Sequence, residues 1–306
     1  MSTTNDNGEV RSERNGHIFT ITVDRSAKMN GFTPEMFDAL SDALTRLDED
    51  SDLWVGVVAF AGKHTTAGLD LPRFAAAFAS AAGDAPADDS NNAVPNNPVP
   101  NNAVPNNAVP NNATPGTNAN NANNATMQRP APVDAFGLKR RCRKPVVMAV
   151  QGITFTIGIE MLLAADVVVA ADDCRFCQME PKRGLAVFGG AHVRYVERAG
   201  WGNAMYHLLR ADEFDAARAL QLGFVQEVVP VGQQVARAHA IAAEICTLAP
   251  LAVQEIKRGA LLYLEQGERA AFAEIPAMRS RTAGSKDFAE GLASFREKRA
   301  PHFEGR

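Results

Sequence analysis

Glu160 and Glu180, 20 positions apart, are the two residues whose contexts point most directly to chemistry. Glu160 closes the run Gly152-Ile153-Thr154-Phe155-Thr156-Ile157-Gly158-Ile159-Glu160 and leads into Met161-Leu162-Leu163-Ala164-Ala165, so its carboxylate heads into a core. Glu180 follows Arg175-Phe176-Cys177-Gln178-Met179 and precedes Pro181-Lys182-Arg183-Gly184, where a β run ends and the chain turns. Two acids brought to one apolar pocket cannot ionise equally, and general acid and base work needs that asymmetry. Two unrelated salt-bridged carboxylates would show the same spacing, so the pair alone leaves both readings open.

The elements that must position these acids alternate between strand and helix. His17-Ile18-Phe19-Thr20-Ile21-Thr22-Val23 alternates in strand fashion, and Leu53–Phe60, Val146–Val150 and Val167–Ala170 are apolar runs of strand length. Thr33-Pro34-Glu35 starts a helix, with threonine as cap and proline in the first turn, that continues through Met36, Leu40, Leu44 and Leu47. Glu160 is expected on a helix between two strands, and Asn203–Leu209 and Asp215–Leu220 on two further helices. After Pro230 the pattern is almost wholly helical. The order predicts an α/β body, residues 16–230, followed by a helical region, 231–306, with a flexible N-terminus over 1–15.

One stretch belongs to neither pattern. Prolines at 95, 100, 105, 110 and 115 are separated by Asn-Asn-Pro-Val, Asn-Asn-Ala-Val or Asn-Asn-Ala-Thr, and Ser90 to Gln128 contains no charged residue. Regular prolines remove backbone donors, and so little apolar surface cannot offset chain entropy. A disordered low-complexity loop is expected over 84–132, a neutral repeat in a tolerant loop rather than a recognition ligand.

Composition narrows the function classes. A chain of 306 residues with 46% hydrophobic content can bury a sizeable core, and a net charge of −4 offers no general attraction to nucleic acid or to membrane surfaces. No window reaches the ~18 apolar residues of a membrane span, and the first residues have neither a basic nor an apolar leader pattern. A cytoplasmic protein is expected. Four cysteines, at 142, 174, 177 and 246, are too scattered for a disulfide framework. Cys174 and Cys177 have the gap of a metal pair, but no second pair completes a site and no metal is expected.

Six ordered landmarks resemble the enoyl-CoA hydratase/isomerase (crotonase) superfamily. They are Arg25-Ser26-Ala27-Lys28-Met29-Asn30-Gly31, Ala67-Gly68-Leu69-Asp70-Leu71, the segment from Lys144 to Glu160 and on to Asp166–Ala170, Arg175-Phe176-Cys177-Gln178-Met179-Glu180, Gly223–Pro230, and Asp287–Gly291 with Phe295–Arg299. The resemblance covers roughly residues 16–80 and 134–305 and implies a crotonase-like (ClpP/crotonase) spiral of β-β-α turns. It also implies C-terminal helices that build homotrimers pairing into hexamers, and an acyl-CoA thioester substrate, with coenzyme A as part of that substrate and no separate cofactor.

It further implies an oxyanion hole from the backbone N–H groups of Leu69 and Ile157, with Glu160 and Glu180 as acid and base. Adding water to an unsaturated thioester builds negative charge on the thioester oxygen, so two fixed donors there are worth about 2.7–4 kcal/mol each. Retention of both acids favours a hydratase, active on the 2,3 double bond of an enoyl-CoA in fatty-acid β-oxidation. The alternatives are an isomerase, another acyl-CoA enzyme of this fold, or a scaffold relative without catalysis. Lys28, Met29, Ala67, Gly68, Asp70 and Lys298 match positions near coenzyme A, although Asp70 and Asp166 suit capping or pairing roles. Phe155, Phe188 and Trp201 are candidates for an acyl pocket. The chain departs from the family in reading Thr156-Ile157-Gly158 where glycines are usual, in Val187-Phe188-Gly189-Gly190, which is one residue short and lacks a proline, and in Pro72, with Arg73 beside it, where a lysine is common. A β-branched Ile157 is expected to crowd the thioester or to demand a different acyl shape.

Overall fold

The computed structural model describes residues 7–75 and 130–306. The Asn/Pro-rich loop expected over 84–132 therefore lies, through residue 129, outside the described residues. The segments through Ala75 and from Ala131 onward cluster as one unit.

Its frame is a six-stranded sheet ordered β1 (Glu9–Asn15), β2 (Ile18–Asp24), β3 (Val55–Phe60), β4 (Val146–Val150), β6 (Val167–Ala171), β9 (Glu227–Val229). All neighbours are parallel except β1 and β2. Strands β3 and β4 are buried at every position, which is what a parallel strand covered on both faces requires and why both read as unbroken apolar runs. Their alternate residues divide between two cores. Val58, Phe60, Met148, Val150 and Val168 join the larger cluster with α1 (Pro34–Glu49) and α2 (Ile157–Ala164). Val55, Val57, Val147, Ala149 and Val169 meet Ala238 and Ala242 of α5 (Gln234–Cys246).

A second sheet, β5 (Ile153–Phe155), β7 (Arg175–Cys177) and β8 (Phe214–Asp215), stands beside the first. Strand β4 turns into β5 and then α2, and β6 turns into β7, so the chain winds in the expected strand, strand, helix order. The remaining helices are α3 (Ala191–Arg210), α4 (Ala216–Gln221), α6 (Pro250–Ala283) and α7 (Lys286–Glu297). At the start of α1 the Thr33 side chain accepts from the Met36 N–H at 3.3 Å with Pro34 in the first turn. The loop entering β4 is tied down by Asp48, 1% exposed, which accepts from the Arg143 N–H at 2.6 Å and from the Arg140 and Arg143 guanidiniums at 2.7 and 3.0 Å.

Three expectations change. Residues 9–15 are not flexible: they form β1, in a hairpin with β2 closed by Gly16-His17 with Gly16 at φ 59. Its side chains are almost all exposed, so this edge strand leaves no apolar alternation to detect; the Asn15-Gly16 turn signal was its one trace. Residues 234–246 belong to the body rather than to a separate C-terminal region, because α5 covers one face of β3, β4 and β6. The helix expected at Asn203–Leu209 is the second half of α3, which runs across a break at Gly200 (φ 74, ψ 162). Among the described residues no single helix is long and apolar enough to cross a membrane.

Candidate active site

The site is assembled where three segments meet at the start of α2. Strand β5 lies against β7 with Phe155 opposite Cys177, and the Thr156 N–H donates to the Cys177 carbonyl at 2.9 Å. On its other side β5 carries the 65–70 segment: the Thr66 N–H donates to the Ile153 carbonyl at 3.1 Å and the Phe155 N–H to the Thr66 carbonyl at 3.0 Å. The 28–31 turn closes the third side, with the Ala67 N–H donating to the Met29 carbonyl at 3.0 Å and the Thr66 hydroxyl to the Asn30 carbonyl at 2.6 Å. Asn30 in turn donates its amide to the Ala61 and His64 carbonyls at 2.9 and 2.8 Å.

This lattice leaves two backbone donors over. Phe32 takes the Asp70 N–H and gives its own N–H to Gly68, both at 2.9 Å. Leu69, between them, therefore points its N–H away from that bridge, and no described group accepts it. Ile157 opens α2, so its N–H has no acceptor one turn back. The two segments touch, since a Cβ on Gly68 would lie 2.6 Å from the Thr156 hydroxyl and one on Gly158 would lie 2.8 Å from a Thr66 methyl. Leu69 and Ile157 thus present free N–H groups from adjoining segments, at a helix N-terminus whose dipole favours negative charge. The Ile157 side chain is 5% exposed and belongs to the main apolar cluster. The expected crowding by Ile157 is overturned: its side chain packs into the core, which leaves its backbone N–H exposed to the candidate site at the first turn of α2. The unusual residue is its neighbour Thr156, at φ 50 and ψ −115, a conformation costing a non-glycine residue about 1–3 kcal/mol.

Glu160 is 2% exposed and fixed at one oxygen, Oε1 accepting from the Gly189 N–H at 2.7 Å and the Ala191 N–H at 3.3 Å. Burial raises its pKa, while those two donors and the charge on Arg194 act in the opposite direction. Glu180 begins a short 3-10 turn, Glu180–Arg183, with Oε2 buried and unpartnered. Burial lifts it to about 7, opposed by its own backbone N–H and reinforced by the charge on Glu160.

Gly189 and Ala191 were not among the expected site residues. The Gly189-Gly190 pair in the sequence was the available signal, and its reason is spatial. A Cβ at Gly189 would stand 2.5, 2.7 and 2.9 Å from Oε2, Cδ and Cβ of Glu160. Because one of these atoms is close to the Glu160 backbone, rotation cannot relieve the clash. Gly189→Ala is expected to dislodge Glu160 from its donors at a cost of about 1–3 kcal/mol, read as a lower denaturation midpoint.

The other expected residues divide. Met29, 46% exposed, and Lys28 lie on the turn that Ala67 joins. Asp70 is engaged by Arg25 at 2.8 Å, a guanidinium buried beneath it, and by Arg73 at 3.7 Å. Asp166 accepts from the Val146 N–H at 2.7 Å and from Lys257 at 2.6 Å. Lys298 is an exposed residue capping α7 at φ 54, with no described contact to this group. Phe155 is buried, but Phe188 and Trp201 are 60% and 70% exposed; their positions on an outward loop and beyond the Gly200 break leave their rings facing outward in the single chain. Cys174 and Cys177 are buried free thiols.

Comparison with known proteins shows the family. The enoyl-CoA hydratase/isomerase family model matches residues 115–306. The chain is 30% identical over 306 residues to the enoyl-CoA hydratase EchA19 of Mycobacterium tuberculosis, covering 100% of both chains. It is 31% identical over 163 residues to the 2,3-dehydroadipyl-CoA hydratase of Escherichia coli, covering 53% of this chain and 64% of that one. The crystal structure of a probable enoyl-CoA hydratase/isomerase from Mycobacterium abscessus superposes with a TM-score of 0.79 at 33% identity, covering 97% of this chain and 98% of that one. With its spiral frame and these relatives, the chain belongs to the enoyl-CoA hydratase/isomerase family and is an acyl-CoA enzyme of the crotonase superfamily.

Proposed function

We propose that the protein hydrates the 2,3 double bond of an enoyl-CoA thioester, reversibly, to the 3-hydroxyacyl-CoA. The observation that supports this reading is the presence of two differently held carboxyls, Glu160 buried and Glu180 half-buried with Oε2 unpartnered, together with N–H groups at Leu69 and Ile157 that no described group accepts. The thioester oxygen accepts from Leu69 and Ile157, and negative charge grows there as the reaction proceeds. Glu160, with Oε1 stabilised by two N–H donors, is the ionised base. It takes a proton from water as the water oxygen bonds to C3. Glu180, lifted to about 7, holds the proton that passes to C2. One water is added in sum, and the pair resets by exchanging a proton with solvent.

Lys28, Met29, Ala67 and Gly68 form one wall of the coenzyme A site, with Asp70 bracing it through Arg25. Lys298 serves that site only if another subunit brings it there, which fits a homotrimer or a hexamer. Ile256, Phe272 and Phe295, 68%, 60% and 84% exposed on α6 and α7, support such self-association, since apolar side chains in this number mark contact surfaces. A panel of acyl-CoA thioesters examined by mass spectrometry tests the reaction. A gain of one water is expected; a shifted double bond at unchanged mass points to the isomerase alternative.

A further inference from the structure

His64 is half-buried, takes no part in the mechanism above, and fills a place in the backbone ladder that belongs to a carbonyl. Thr66 pairs with Thr154 in parallel fashion, giving its N–H to the Ile153 carbonyl at 3.1 Å and receiving the Phe155 N–H at 3.0 Å. One step back, the same pattern would direct the Ile153 N–H to the His64 carbonyl. That carbonyl accepts from the Asn30 amide at 2.8 Å instead, and the Ile153 N–H donates to Nδ1 of the His64 ring at 3.1 Å. Gly152, at φ 53, makes room for the ring, since a Cβ there would stand 2.5 Å from Nδ1. An imidazole nitrogen accepts only when it carries no proton, so this contact fixes the neutral ring with its proton on Nε2. Burial holds the His64 pKa below its ordinary 6.5, with Lys63 lowering it further, Asp173 acting the other way and Arg175 lowering it again.

The strand held in this way, β5, runs through Thr156 into Ile157, and the segment that begins at His64 reaches Leu69 five residues on. We propose that His64 is a positioning residue for the oxyanion donors, its unprotonated Nδ1 clasping the strand that leads to Ile157 onto the segment that carries Leu69. The catalytic consequence rests on the hydratase reading; the clasp does not. His64 touches no reacting atom and acts through the backbone of β5. Protonation puts a second donor against the Ile153 N–H, so the clasp opens as pH falls through the His64 midpoint.

Two substitutions separate an acceptor from a packing residue. His64→Asn keeps an oxygen for the Ile153 N–H but loses ring volume, whereas His64→Leu keeps more volume and accepts nothing. Amide hydrogen exchange, read by mass spectrometry of peptides spanning residues 152–157, is expected to be about tenfold faster than the parent in His64→Leu and within about twofold of it in His64→Asn. The reverse order, or equal exchange in the two variants, overturns the clasp. With an enoyl-CoA, kcat should fall about tenfold in His64→Leu at unchanged KM and return in His64→Asn; a parental kcat in His64→Leu overturns the positioning role. On acidification the parent loses kcat along a limb that His64→Asn lacks, the titrations of Glu160 and Glu180 being common to both. Coincident pH profiles overturn the proposal even where His64→Leu fails to fold. If the parent hydrates no thioester, the hydratase reading fails, and the order of exchange still decides the clasp.

Discussion

Glu160→Gln and Glu180→Gln are each expected to lower enoyl-CoA hydration by about 10²–10⁴-fold while leaving the far-ultraviolet spectrum and the oligomeric state unchanged. The effect should fall on kcat, because in the proposed mechanism both carboxyls act on protons in flight rather than on the thioester oxygen, which is assigned to the Leu69 and Ile157 backbone. The Glu160→Gln,Glu180→Gln double variant loses little more than either single one, since one proton donor without its base completes no turnover. Gln at 160 keeps an oxygen able to accept from the Gly189 and Ala191 N–H groups, which is why the fold survives. Hydration at the parent's rate by all three variants would remove both acids from the mechanism.

Glu180→Gln is also expected to make the folded protein more stable than the parent above neutral pH, by about 2–3 kcal/mol at pH 8. The Glu180 carboxyl sits at about 7 in the folded chain against 4.5 for an ordinary glutamate. Between those values the native state holds a proton that the unfolded chain has released, so the parent loses stability as pH rises through this window. Below about 4.5 both states are protonated at this site, and the stability associated with the raised pKa is fully present. A neutral glutamine carries no such dependence. The gap between variant and parent should therefore open from pH 4.5 to 7 and level off beyond it, in urea denaturation series at stepped pH. A constant gap across that range would mean that burial does not shift Glu180.

Much of this frame was legible from residue pattern. Val146–Val150 and Leu53–Phe60 read as buried strands because parallel strands covered on both faces carry no polar alternation, and Thr33-Pro34 announced α1 through its own capping chemistry. Glu160 and Glu180 stood out by the contrast between an acid and its apolar neighbours. What hid was whatever depends on contacts between distant segments. The β1 edge strand has no buried face to mark it. The hold of Gly189 and Ala191 on Glu160 spans about 30 residues and uses backbone atoms. Ile157 looked like an obstruction because sequence does not say which way a first-turn side chain points, and it points into the core.

The most direct measurement is single-turnover incubation of the protein with crotonyl-CoA in oxygen-18 water, followed by mass spectrometry of the thioester. The proposed mechanism requires one labelled oxygen at C3 and one solvent hydrogen at C2, formed by the parent protein and lost in Glu160→Gln and Glu180→Gln. Recovery of a thioester of unchanged mass, or of labelled product at the same rate from the glutamine variants, would contradict it.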